Sequence, residues 1–154
     1  MAQYIGWVAA TANSSANTVD TFIEIDLPAS QIAKIKRIRV SHTLAAQDGQ
    51  TRIILCRKSA TGAGTTAAMT EVKKNPLAPA ALAVGTIKSG TNTWAAGTIT
   101  DTLDEIQVNT RGIWEWVARD EDDYIVTTSG EIFGVNIACS VASMTIKVTI
   151  EWVE

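Results

Sequence analysis

The chain is poor in the residues that most chemistry depends on. It has one histidine, His42, and two cysteines, Cys56 and Cys139. A single histidine cannot build the histidine cluster of a cupin-type metal site, and it leaves little for acid–base catalysis. His42 ends a strand-like run and reads as a surface or packing residue. There is no CxxC, no HxxxH, no Walker glycine loop and no nucleophile elbow. "TGAGTT" (61–66) is rich in glycine but lacks the lysine of a phosphate cradle, so it reads as a hairpin loop. The cysteines lie far apart, each in an apolar run, and imply two buried thiols. A disulfide would require their strands to be neighbours with suitable geometry. No catalytic residue, metal ligand or cofactor is expected.

Other absences bound the class. No apolar run approaches about 20 residues, so no membrane-spanning helix is expected. The opening MAQYIGWVAATANSS has neither a charged start nor a long apolar stretch, and no signal peptide is expected. A net charge of −3 carries no basic footprint for nucleic acid. With 46% apolar and 19% charged residues over 154 positions, the chain is expected to fold as one globular domain, 1–154. Residues 1–10 form a strand or an arm.

What the sequence does have is period-2 alternation. Met144, Ile146, Val148, Ile150 and Trp152 point one way, against Thr145, Lys147, Thr149 and Glu151. Phe133, Val135, Ile137 and Cys139 share another face. With Ser140–Ser143 between them, the two runs read as a hairpin. Ile23, Ile25 and Leu27 alternate, as do Ile38 and Val40 against Arg37, Arg39 and Ser41. The run from Arg52 to Arg57 is apolar enough to be covered on both faces. Shorter strand candidates are 3–10, 69–72, 84–87, 97–100, 105–108 and 113–118. Helical hints are confined to 29–34 and 78–84. Many short strands with frequent turn signals predict an all-β sandwich or barrel.

Three features are candidate interaction sites. Asp120, Glu121, Asp122 and Asp123 lack the spacing of a calcium loop and read as an exposed turn; a bound cation and a charged contact with a partner remain open. Lys34, Lys36, Arg37 and Arg39 read as a solvated strand face or as a contact between subunits, because opposite patches on one chain can pair across a symmetric interface. Of five tryptophans, Trp114, Trp116 and Trp152 read as core. Trp7 and Trp94 are the interface candidates, since aromatics anchor binding hot spots. Trp94 beside Asn92 also fits a sugar-stacking site.

The order of these segments resembles a known family. "DTFIEIDLPAS" and "KIKRIRVS" are followed by "RIILCRKSATGAGTT", "MTEVKKNPLAP", "WEWVARDEDDYIV", "GEIFGVNI" and a terminal "KVTIEWVE". The pattern is similar to small jelly-roll virion proteins of tailed bacteriophages, of the capsid decoration (cement) type. The resemblance implies an antiparallel jelly roll of about eight strands and self-association, with a trimer favoured. It implies the major capsid protein as partner, with no nucleic acid and no membrane. The place it implies is the virion surface, after synthesis in the host cytoplasm. A head-fibre or tail component and a carbohydrate-binding receptor module are the alternatives.

Overall fold

The computed structural model describes residues 1–11, 15–42, 48–64, 66–81, 83–88 and 95–154. Among these, strands run in chain order as β1 (Gln3–Thr11), β2 (Asp20–Asp26), β3 (Ile32–His42), β4 (Gln50–Ala60), β5 (Thr66–Ala68) and β6 (Val72–Lys73). They continue as β7 (Val84–Lys88), β8 (Thr98–Asn109), β9 (Ile113–Val117), β10 (Ile125–Thr128), β11 (Ile132–Cys139) and β12 (Thr145–Val153). They form an antiparallel two-sheet sandwich. The first sheet runs β6-β1-β12-β3, with β9 and β10 end to end along the far edge of β3. The second runs β5-β7-β2-β11-β4-β8.

The pairing is nested. β1 pairs with β12, β2 with β11, β3 with β9 and β10, and β4 with β8. Two further pairings, β12 with β3 and β11 with β4, join these pairs into sheets. β5 to β7 are interposed between β4 and β8. β6 widens the first sheet beyond β1, and β7 widens the second beyond β2.

Alternation explains the core. Ile146, Val148, Ile150 and Trp152 of β12 face Phe133, Val135, Ile137 and Cys139 of β11 in one buried cluster, with Ile38, Val40, Ile53 and Leu55. Each such side chain contributes about 1.5–3 kcal/mol by leaving water. Tyr4 stacks on Trp152 with ring centroids 5.6 Å apart. Trp114 is buried and Trp116 packs against the cluster, as their shared strand face requires.

Several expectations are corrected. β11 and β12 are not a hairpin. They lie in different sheets, and Ser140–Ser143 carries the chain across, with Ser143 in the left-handed region at φ 59°. The two segments at 97–100 and 105–108 are one long strand, β8, which shifts register against β4 in three places. Such bulges sharpen twist and keep pairing in step. The segment 69–72 is no single strand: β5 and β6 flank Met69–Glu71. The helical hints at 29–34 and 78–84 hold no helix among the described residues.

The cysteines are free and buried. Their strands are neighbours, but Cys56 stands opposite Gly134 and Cys139 opposite Thr51. That offset separates them by about 17 Å of strand rise and puts them on opposite faces.

Candidate functional site

The outer face of the first sheet is open, and it gathers several of the candidate residues. Register places Trp7, Thr149, Arg39 and Glu115 in one row across β1, β12, β3 and β9. The adjacent row is Ile5, Glu151, Arg37 and Val117. Trp7 is 43% exposed, with Val72 exposed on the neighbouring β6, and Ile113 and Val117 are exposed at the far edge of the same sheet. Arg37 Nε donates to Glu115 Oε1 at 2.9 Å, and its guanidinium lies 3.6 Å from Glu151. Glu151 also takes Lys74 at 2.6 Å. Arg39 makes no ion pair among the described residues and stands in the same row as Trp7, with Thr149 between them. Lys36 is the extra residue of a bulge opposite Glu151 and Trp152, and its carbonyl accepts from Ala118 N. Trp94 and Asn92 lie outside the described residues.

Asp120, Glu121, Asp122 and Asp123 are all exposed. Asp120 Oδ1 accepts from the backbone N–H of Asp122 at 3.0 Å and of Asp123 at 3.3 Å. The run therefore folds on its own first carboxylate, as an aspartate-initiated turn does. It steps the chain from β9 to β10 along one edge of β3. Among the described residues, no three His, Cys, Asp or Glu side chains are grouped to hold a metal. His42 is half-buried, its Nε2 lying 2.7 Å from Thr51 Oγ1 of the other sheet, and burial draws its pKa below 6.5.

The outer face of the second sheet is exposed along β8, where Arg52 meets Glu105 with side chains 43% and 40% exposed, but it is sealed over β2, β11 and the end of β4, and sequence reasoning missed what lies there. Glu24, Gly134 and Cys56 form one row across β2, β11 and β4; Thr21, Asn136 and Ile54 form the next. A bulge at Phe22 turns Phe22 into the core and brings Thr21 onto the outer face beside Asn136. Lys58, two residues beyond Cys56, reaches back over Gly134, where a Cβ would come within 2.5 Å of its Cε. Its Nζ donates to Thr21 Oγ1 at 2.6 Å and Glu24 Oε1 at 2.8 Å. Thr21 Oγ1 lies 2.9 Å from Asn136 Oδ1. Asn136 Nδ2 donates to the Ala96 carbonyl, and Ala95 bridges to Asp20, so the segment entering β8 lies over this cluster.

The cluster is dry. Lys58 and Glu24 side chains are 0% and 1% exposed. Burial pushes the Cys56 thiol up to about 11 and draws the Lys58 amine down, with Glu24 acting against the latter. Glu24 Oε2 has no hydrogen-bond partner among the described residues. The sequence did carry a signal: Glu24 interrupts an apolar strand, and Lys58 ends a run covered on both faces.

The chain matches none of the family models, curated proteins or solved structures with which it was compared.

Proposed function

We propose that this chain is a structural virion protein without catalytic activity: a jelly-roll decoration (cement) protein that binds and stabilises a bacteriophage head lattice. The nested pairing supports the jelly-roll reading. A long antiparallel ribbon, rolled up, pairs its first strand with its last and its second with the one before. β1 to β4, β8, β9 with β10, β11 and β12 supply eight such strands, with β5 to β7 as an insertion.

The open face of the first sheet is the observation that carries the binding role. A half-exposed tryptophan, an arginine without an ion pair among the described residues and a rim of ion pairs are what protein interfaces are enriched in at their centres and edges. The face is broad, and stable interfaces need about 800 Å2 per partner. In a trimer three such faces would engage the coat at once, so modest single contacts would add through avidity. Binding to the assembled lattice alone would stabilise it by mass action.

The reading is tested by co-sedimentation with coat shells that lack the chain. Wild type is expected to pellet with the shells, and Trp7→Ala to stay in the supernatant with its fold intact. Equal pelleting of the two would remove this face from the contact, and no pelleting of wild type would reject the role.

A further inference from the structure

The dry cluster on the second sheet goes beyond any role in binding. We propose that Lys58 and Asn136 join in an intramolecular isopeptide bond, with Glu24 carrying the proton. The inference does not depend on the capsid reading.

The residues needed are on three adjacent strands, with Lys58 and Asn136 bridged by Thr21 and Lys58 bonded to Glu24. Lys58 Nζ and Asn136 Oδ1 are both hydrogen-bonded to one oxygen, Thr21 Oγ1, so amine and carboxamide lie within two hydrogen-bond lengths. Gly134 leaves the path between them clear, since any side chain there would strike Lys58. Glu24 Oε1 is 2.8 Å from the amine. Thr21 accepts from Lys58, and Asn136 Oδ1, where negative charge develops as the carbonyl is attacked, is the nearest acceptor for its hydroxyl at 2.9 Å, against 3.2 Å and 3.4 Å for the Ala95 and Ala96 carbonyls. A preorganised donor at that position is the usual device for stabilising acyl-transfer transition states.

The step balances without an outside reagent. The Lys58 ammonium gives one proton to Glu24 and becomes an amine. Its lone pair attacks Asn136 Cγ, and the C=O electrons move onto Oδ1. A second proton passes from Nζ to Nδ2, the Cγ–Nδ2 bond breaks, and ammonia leaves. The product is a secondary amide between the side chains and a neutral Glu24 acid beside it. A buried ion pair is thereby replaced by uncharged groups, which removes the cost of keeping two charges out of water. Burial already favours the neutral amine that the attack needs. The bulge at Phe22 is what aims Thr21 at this site, as bulges beside reactive centres do.

The test is the intact mass of the purified, folded wild-type chain, followed by peptide mapping. We expect a mass one ammonia below that of the sequence. The digest should contain a branched peptide joining Lys58 to Asn136, with no tryptic cleavage after Lys58. Glu24→Gln and Asn136→Ala should keep the whole mass. A folded wild-type chain that retains its full mass after long incubation at neutral pH would overturn the proposal. So would loss of ammonia at another asparagine with Lys58 free. The wild-type measurement decides the matter even if a variant does not fold.

Discussion

On the first sheet, Arg37 and Glu115 meet at 2.5 Å with side chains 40% and 37% exposed. On the second, Lys58 and Glu24 meet at 2.8 Å with side chains 0% and 1% exposed. The distances are alike and the energetics are not. Water screens the first pair, and holding two long side chains in place offsets most of what remains. The second pair has given up its hydration, so each partner depends on the other. One sandwich thus carries an open outer face on one sheet and a sealed patch on the other. The open face can exchange its contacts for those of a partner at small cost. The sealed patch, over β2, β11 and the end of β4, is where covalent chemistry has a dry, fixed geometry.

The largest effect separating the faces is expected at Lys58. Lys58→Met removes the isopeptide bond proposed above and leaves Glu24 buried without its partner, and should cost about 3–5 kcal/mol or more, read as a lower denaturant midpoint with a steeper slope, because the unfolded chain loses its crosslink. Adding Glu24→Gln should recover part of that loss; no recovery would mean that the pair is not the source. On the open face, Arg39→Glu should weaken lattice binding tenfold or more, about 1.4 kcal/mol, while stability stays within about 0.5 kcal/mol. A large loss of stability would make Arg39 structural. Arg37→Ala should change stability by about 0–1 kcal/mol, an effect expected to vanish at 1 M salt, where the Debye length is about 3 Å.

The smallest effect concerns pH. His42 titrates below 6.5 in the folded chain, so the unfolded chain takes up the proton first. Its contribution is full above pH 6.5 and is lost as pH falls through and below that value. His42→Gln should flatten the slope of stability against pH in that window, modestly because His42 is half-buried; an unchanged slope would remove His42 from the account.

Much of the fold was legible because alternation reports which residues face the core. The runs at Met144–Trp152, Phe133–Cys139 and Ile38–Val40 needed nothing more, and neither did the two-sided burial of β4. Alternation does not report which strand is the neighbour. The link Ser140–Ser143 fits a hairpin and a crossing between sheets equally well, and only the partners β1, β2, β3 and β4 decide between them. Of the candidate site, Trp7, Arg37 and Arg39 were legible as types, and register alone put them on one face. The acidic run was legible as an exposed turn because it lies between two strand-like segments. The Lys58 cluster was not: it depends on a bulge at Phe22, on the absence of a side chain at Gly134, and on a segment some 40 residues away in sequence from Asn136 that lies over it.

The central claim, a lattice-wide structural role, is tested most directly by quantitative mass spectrometry of purified phage particles produced by the cells that express the chain. The account predicts a copy number near one-to-one with the major coat protein. Absence from the particles would contradict it, and so would a handful of copies, which would mark a vertex, fibre or tail component instead.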